Sequence, residues 1–186
     1  MLNDLSVDLD LFIDYYESKN YGLYALFLKK LDGLEYLKIQ DKQCKIQIQD
    51  RIKDTYDRYK IGFLLYVGKA KKEDIKTRVG NRHLNGTPRV STIRYTLAAL
   101  CGFQAYKQLQ KDKKYKYDTS DESNLVLTNW LSQHTYFKIY ECHQNIIDSL
   151  ECDYIKTYIP PFNLYKNPSK IQPIQKMRKN FRKNAI

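Results

Sequence analysis

Residues 61–68, with the sequence IGFLLYVG, constrain the fold most, because they form a continuous apolar run that ends at a glycine. Such a run predicts a buried strand in the middle of a sheet. A second apolar run, residues 21–30, stops at the turn signal Asp32-Gly33 and predicts another buried strand. Residues 135–142 alternate in the manner of a strand. We therefore expect strands in three separate parts of the chain.

Helices are expected in most of the remaining chain. Ser91 is a good N-cap for a long helix that is broken near Gly102, and Pro160-Pro161 forces the last apolar helix to stop. Residues 111–124 are polar and charged throughout, which predicts an exposed loop. After a strand-like start at residue 34, the expected helices cover about residues 6–17, 43–58, 72–83, 92–109 and 145–159.

The composition favours one ordered, basic domain. The chain has 186 residues, 42% of them hydrophobic, which is enough for a single core. Its formal net charge is +11, and Lys and Arg side chains gain from neutralising phosphates, so nucleic acid is the expected partner. No apolar stretch approaches the roughly 20 residues that a spanning helix requires, so no membrane association is expected.

The four cysteines indicate a reducing compartment. They are scattered, form no C-x-x-C pair and follow no secretory signal, so we expect free thiols in a cytoplasmic protein. A zinc site could be imagined from Cys142, His143 and Cys152, but their spacing matches no familiar four-ligand pattern. Structural thiols are therefore the preferred interpretation.

The C-terminal segment, residues 164–186, concentrates positive charge and contains no acidic residue. This pattern is typical either of a solvated tail or of an arm that follows phosphates on DNA, and we favour the arm. The segment contains the seven basic residues Lys166, Lys170, Lys176, Arg178, Lys179, Arg182 and Lys183.

Several polar residues near the predicted strands could support phosphodiester hydrolysis. That reaction needs a carboxylate to hold a divalent cation, a base to activate water and a cation to stabilise charge on the phosphate. No single candidate is diagnostic by residue type. The candidates are Tyr24, Tyr66, Lys69, Arg78, Arg82, His83 and Glu151.

The order of local motifs is more specific. Gly22-Leu23-Tyr24 followed by Tyr66-Val67-Gly68 resembles the two strands that give the GIY-YIG nuclease family its name. The resemblance covers roughly residues 21–163. Other matching segments are Arg78, His83-Leu84, Ser91-Thr92-Ile93-Arg94, Leu150-Glu151 and Pro160-Pro161-Phe162-Asn163.

This resemblance implies an α/β (α+β) fold with a small, three-stranded, mostly antiparallel sheet flanked by helices. The nuclease domain would cover residues 21–163, after an N-terminal helical extension at 1–20 and before the basic tail at 164–186. The segment between the two signature strands is longer than in minimal family members. Residues 31–60 are therefore expected to form an inserted hairpin or helix outside the common core.

The resemblance also implies roles for individual side chains. Glu151 would be the protein carboxylate on Mg²⁺ or Mn²⁺, and Arg78 would bind the scissile phosphate. Tyr24 and Tyr66 would position or deprotonate the attacking water, and which of them is the base stays open. A tyrosine with a pKa of ~10 is a poor base unless a cation lowers that value, and Lys69 together with the metal could do so.

The roles of two positions depend on the local geometry. The family's histidine commonly follows the arginine by one helical turn, but Arg82 occupies that place here and His83 comes next. A shift by one residue rotates a side chain by ~100° around an α-helix, so His83 is a candidate only if the helix places it correctly. Asn163 is expected to fix the loop after the last helix or to contact the phosphate, although it could equally cap a turn.

The expected function is therefore metal-dependent cleavage of double-stranded DNA by an endonuclease, of the type II restriction kind, with a homodimer plausible if both strands are cut. The alternative is a non-catalytic nucleic-acid-binding protein that keeps the nuclease fold. Residues expected to bind nucleic acid are Arg82, Ser91, Arg94, Lys176, Arg178, Lys179, Arg182 and Lys183.

Overall fold

The computed structural model describes residues 9–110 and 113–186. The strands are β1 Ile13–Asp14, β2 Gly22–Leu28, β3 Phe63–Ala70, β4 Tyr106–Leu109, β5 Tyr115–Asp118 and β6 Thr135–Glu141. The central sheet is antiparallel and has four strands in the order β1-β6-β2-β3, and β4 and β5 form a separate two-stranded hairpin.

Strand β2 is buried along its whole length because it is paired on both edges and covered on both faces. Its alternate side chains enter two different apolar clusters, as the period of a strand requires. Tyr24 and Leu26 point into the larger cluster, whereas Leu23 and Phe27 point into the smaller one. The predicted buried strands and the third strand are therefore confirmed.

Helices cover the two faces of the sheet. Helix α4 lies on the smaller cluster and contributes Leu150 and Tyr154, whereas α1 and α2 contribute to the larger one. A π-helix, Lys76–Leu84, follows β3. The α-helices are α1 Lys42–Tyr59, α2 Thr92–Cys101, α3 Asp121–His134, α4 Ile147–Tyr158 and α5 Gln172–Lys183.

The predicted N-terminal helix at 6–17 is wrong for the part that the structure describes, and residues 6–8 lie outside it. A 3₁₀ turn covers Leu9–Leu11, and the two residues Ile13–Asp14 then pair with β6 at the edge of the sheet. Phe12, which lies between these two elements in the chain, is buried in the smaller cluster. The spacing of the apolar residues in this short segment is compatible with a helix and with an edge strand. Hydrogen bonding to β6 stabilises the strand.

The predicted loop at 111–124 is also wrong, apart from residues 111 and 112, which lie outside the described chain. Strand β5 pairs with β4, and α3 begins directly afterwards, with the Ser120 hydroxyl accepting a hydrogen bond from the Ser123 backbone N–H. The helix expected at 92–109 is confirmed only as far as Cys101, because Gly102 ends α2 with a φ of +65° and Tyr106–Leu109 forms β4 instead. The loop was predicted from the high charge of the segment, and the alternation of tyrosine and lysine that favours strand β5 was overlooked.

The long segment between the signature strands packs on the sheet. Its strand-like start is wrong, because Leu31–Tyr36 forms a 3₁₀ helix, but the helix expected at about 43–58 is confirmed by α1. Cys44, Ile48 and Ile52 recur every four residues and are fully buried in the larger cluster. The segment thus contributes to the main core.

The segment for which we expected a basic tail contains helix α5. Its apolar residues Ile174 and Phe181 are buried, and the Phe181 ring meets the Tyr95 ring of α2 edge to face, with centroids 5.2 Å apart. The charged residues of α5 therefore hold fixed positions relative to the sheet. Within residues 9–110 and 113–186, no helix combines the length and apolar character needed to cross a bilayer.

Candidate active site

One cleft of about 630 Å³ gathers most of the residues that the sequence singled out. It lies between the ends of β2 and β3, the π-helix and α4. Tyr24, Tyr66, Lys69, Arg78 and Glu151 all line it, although they are separated by up to 127 positions in the chain. The lining also includes residues that sequence reasoning missed, namely Lys71, Lys72, Glu73, Gln144 and Asp148.

The two signature tyrosines lie side by side because Gly68 makes room for them. Tyr24 pairs with Gly68 in the sheet, and the Tyr24 and Tyr66 ring centroids are 6.2 Å apart. A Cβ atom on Gly68 would lie 2.4 Å from the Tyr24 hydroxyl oxygen and 2.7 Å from the Tyr66 ring. The glycine is therefore required by the close approach of two rings.

The Tyr24 hydroxyl is the centre of a polar network. The Arg78 Nε–H donates to it over 3.3 Å, and His83 Nε2 lies 2.7 Å away. Burial raises the Tyr24 pKa, and the Arg78 charge acts in the opposite direction. Burial also raises the Tyr66 pKa well above its ordinary value, and Arg78 again opposes the shift. Arg78 is thus a cation that eases loss of a proton from either phenol.

A π-helix explains how His83 reaches this network. In a π-helix the backbone hydrogen bonds join residues i and i+5, so a turn contains more residues than in an α-helix. The Asn85 backbone N–H donates to the Gly80 carbonyl in this way. Five residues after Arg78, His83 therefore faces the same hydroxyl group. The departure in spacing is compensated by the geometry of the helix.

His83 is neutral and held on both ring nitrogens. It is fully buried, and burial together with the charges of Arg78, Arg94 and Arg82 lowers its pKa well below the ordinary value. Its Nδ1 lies 2.7 Å from the Ser91 hydroxyl oxygen, which accepts from the Arg94 backbone N–H. If Ser91 donates to Nδ1, then Nε2–H donates to the Tyr24 hydroxyl oxygen, and both ring nitrogens of His83 have a partner.

Acid should destabilise the protein through His83. The unfolded chain takes up a proton at this residue below pH ~6.5, whereas the folded chain does not, so the free energy of unfolding falls by up to about 1.4 kcal/mol per pH unit. The loss continues until the pH reaches the lowered folded-state pKa. Urea unfolding at pH 7.5 and pH 5 measures it, with His83→Gln as the control that lacks it. Equal pH dependence in both proteins would contradict the prediction.

Ser91 and Arg94 serve the framework of the site. Arg94 is fully buried, and its guanidinium donates to the His83 and Leu84 carbonyls and to the Thr128 hydroxyl. Ser91 caps α2 and contacts His83. Both side chains are buried, although Ser91 lines a pocket at the N-terminus of α2. The contacts of both residues support the π-helix, and their expected role in nucleic-acid binding stays a prediction.

Arg78 and Arg82 share one carboxylate, Glu73. Arg78 Nη1 lies 3.4 Å from Glu73 Oε1, and Arg82 Nη2 lies 2.5 Å from Glu73 Oε2. The Glu73 and Arg78 side chains are 16% and 22% exposed, so their ion pair is partly shielded from water, whereas the Arg82 side chain is 41% exposed. Arg78 is thereby oriented with its Nε toward Tyr24 and its outer face toward the cleft.

Glu151 and Asp148 form an acidic face on α4 that is balanced by lysines. Glu151 Oε2 accepts from Lys69 Nζ over 2.9 Å and from Lys166 Nζ over 3.2 Å. Asp148, one turn earlier, accepts from Lys69 and Lys71, and these hydrogen bonds lower its pKa. Lys69 thus pairs with carboxylates. The i, i+3 spacing from Glu151 on a predicted helix was the sequence signal for Asp148.

Glu151 is the carboxylate in this cleft best placed to hold a divalent cation. Its side chain is 11% exposed and faces the space lined by Tyr24 and Arg78. Among the described residues, no three His, Cys, Asp or Glu side chains form a metal-binding group, and this includes the zinc site imagined at Cys142. A hard cation would therefore take most of its oxygen ligands from water and phosphate, which suits Mg²⁺ better than Zn²⁺.

Asn163 anchors the loop after α4 to strand β3. Its Oδ1 accepts from the Val67 backbone N–H over 2.9 Å, and its Nδ2 donates to the Val67 carbonyl over 2.8 Å. Both ends of the amide are thus used beside Tyr66. The geometry favours the loop-fixing role over direct contact with a phosphate.

The basic residues of α5 divide into two groups. Lys176, Lys179 and Lys183 are exposed on its outer face. Arg178 and Arg182 instead turn toward α2, and the Arg178 guanidinium lies 4.8 Å from the centroid of the Tyr95 ring. The expected basic surface therefore has a part that is ordered next to the cleft.

Comparison with known proteins identifies the family of this chain. The family model described as the GIY-YIG catalytic domain matches residues 22–184, and this range includes the cleft and α5. Comparisons with curated proteins and with solved structures gave no match. The family model covers most of the chain, and the signature strands, the arginine and the glutamate meet in one cleft. The protein therefore belongs to the GIY-YIG family of nucleases.

Proposed function

We propose that the protein is a divalent-metal-dependent endodeoxyribonuclease that hydrolyses phosphodiester bonds in double-stranded DNA. The observation that carries this proposal is the meeting of Glu151, Arg78 and Tyr24 around one open cleft. These side chains supply the three groups that the reaction needs: a carboxylate for a cation, a fixed positive charge and a proton acceptor.

Glu151 is the proposed ligand of Mg²⁺ or Mn²⁺. When bound, the ion supplies Lewis-acid activation of the phosphate and lowers the pKa of nearby water. The residues fit such an ion, because Glu151 is a shielded oxygen donor already opposite two ammonium groups, those of Lys69 and Lys166. These lysines would then be free to contact phosphate oxygens.

Arg78 is the proposed ligand of the scissile phosphate. Its guanidinium keeps its charge under all ordinary conditions and offers several donors in a plane. Nε is used on Tyr24 and Nη1 on Glu73, which fixes the plane in the cleft. Charge that develops on the phosphate in the transition state would thus meet a positive group that needs no reorganisation.

Tyr24 is the proposed general base. Two donors, Arg78 Nε–H and His83 Nε2–H, would stabilise its phenolate, whereas Tyr66 has one face in the cleft and would position the water. The low pKa of His83 suits this arrangement, because a neutral imidazole can donate to the phenolate without carrying a charge itself. His83 is therefore a positioning residue, not a proton acceptor.

Purified protein should nick or cut supercoiled plasmid and linear DNA in Mg²⁺ or Mn²⁺, and EDTA should abolish the cleavage. A panel of DNAs would reveal discrete fragments if the enzyme is of the restriction type, and an RNA duplex of the same sequence is the control for substrate class. Sizing the protein with and without DNA tests whether a homodimer cuts both strands. Salt-sensitive binding without nicking would instead support a non-catalytic binding protein.

A further inference from the structure

A second pocket lies directly behind Arg78. We call it the basic pocket and define it by the side chains of Arg89, Lys116, Arg178 and Arg182 around the N-terminus of α2. Its volume is about 310 Å³, and Arg78 lines both this pocket and the active-site cleft. The two sites are therefore adjacent and share one wall.

The basic pocket differs from the cleft in its charge balance. In the cleft, Lys69 and Arg78 each face a carboxylate within 4 Å. Within the described part of the chain, the four residues that define the basic pocket form no ion pair, and none of its lining residues is acidic. Four positive charges held close together without counter-charges repel one another, and an anion would relieve that repulsion.

Rigid elements hold these charges in place. Arg178 lies over the Tyr95 ring, whose hydroxyl donates to the Arg178 carbonyl over 3.0 Å. Arg89 Nη1 donates to Gln108 Oε1 of the hairpin over 2.8 Å, which fixes the opposite wall. Burial lowers the Arg178 pKa, in keeping with a cation that has lost water without gaining a carboxylate. The first turn of α2 adds its positive end.

We propose that the basic pocket binds a backbone phosphate next to the scissile phosphate, so that the cut strand crosses Arg78 from one pocket to the other. The inference rests on the proposed function and adds the path of the strand. The small volume suits a phosphate with its sugar, and Tyr115 and Tyr117 in the lining offer ring faces beside it. The hairpin and α5 are thus the substrate-positioning parts of the protein.

Arg89→Gln/Lys116→Gln tests the proposal, because both side chains are exposed and neither belongs to the catalytic set. Binding of fluorescent duplex DNA in EDTA should weaken by about 10-fold or more, and the slope of log Kd against log salt should fall by about one to two. The cleavage rate at low DNA concentration in Mg²⁺ should fall by a similar factor, because the lost contacts hold the cut strand in place.

The matched control is Lys42→Gln/Lys53→Gln, which removes the same charge from exposed positions on α1. Its affinity and salt slope should stay close to those of the wild type. Equal weakening in both double variants would overturn the proposal, because the effect would then follow net charge. Circular dichroism of all three proteins shows whether the fold is kept.

Methylphosphonate substitution locates the phosphate. A neutral methylphosphonate next to the cleavage position should weaken binding to the wild type but add nothing in Arg89→Gln/Lys116→Gln, because the contact is already lost. If the methylphosphonate and the double substitution weaken binding additively at every flanking position, the inference is overturned. Cleavage by the wild type would still leave the proposed function intact. A wild-type protein that neither binds nor cuts DNA would overturn both.

Discussion

Glu151→Gln is expected to reduce the rate of DNA cleavage in Mg²⁺ by at least about 10³-fold, because loss of the cation removes several kcal/mol of transition-state stabilisation. The amide keeps the size of the side chain but no longer carries the charge that holds the ion. Lys69 and Lys166 would each lose a carboxylate partner. DNA binding in EDTA should therefore be kept or strengthened. Plasmid cleavage under single-turnover conditions measures the loss.

Asp153→Asn is the matched control for this change. Asp153 lies two residues further along α4 and is exposed, so its neutralisation removes the same charge away from the cleft. Its cleavage rate and dependence on Mg²⁺ should match those of the wild type. Metal-dependent cleavage that survives Glu151→Gln would exclude Glu151 as the ligand and direct attention to Asp148, which lines the same cleft.

Arg78→Lys should lower the cleavage rate by about 10²- to 10³-fold, since lysine keeps the charge but loses the planar donors that match phosphate oxygens. The substitution also removes the Nε–H that donates to Tyr24. The effect should appear mainly in the rate at saturating DNA, with a smaller change in Kd. Single-turnover rates and equilibrium binding separate the two quantities.

Arg82→Lys is the control on the same helix. Arg82 pairs with Glu73 and its side chain is 41% exposed, so lysine can preserve the ion pair. We expect a change of less than about 10-fold in the cleavage rate, because an exposed ion pair contributes little. Equal losses in the two variants would mean that Arg78 has no special contact with the phosphate.

The sequence was sufficient for the parts of the site that lie on regular strands. Tyr24 and Tyr66 lie within two buried runs, and the pairing of these runs as neighbouring strands confirms what the family resemblance implied. Glu151 was singled out by the family resemblance from its place before Pro160-Pro161, and the structure places it in the cleft. Local patterns work here because burial and periodicity agree with the final pairing.

Other features depend on contacts that no local pattern reveals. Arginine is rarely fully buried, so Arg94 was expected to bind nucleic acid. Its burial is explained by the carbonyls of His83 and Leu84 in the π-helix and by the Thr128 hydroxyl of α3. The wide turn that returns His83 to Tyr24 has no signature in the hydrophobic spacing. Lys166 reaches Glu151 because the chain folds back after the loop held by Asn163.

The contact between Gly68 and the two phenol rings has a consequence for how this active site can vary. Gly68 carries no functional group and its backbone is ordinary extended strand, yet any side chain there would collide with Tyr24. The collision would push the phenol away from both Arg78 and His83 at once. The hydrogen bonds of the Tyr24 hydroxyl therefore depend on the absence of a single methyl group at position 68. A substitution that changes no charge could in this way remove the proposed base from its partners.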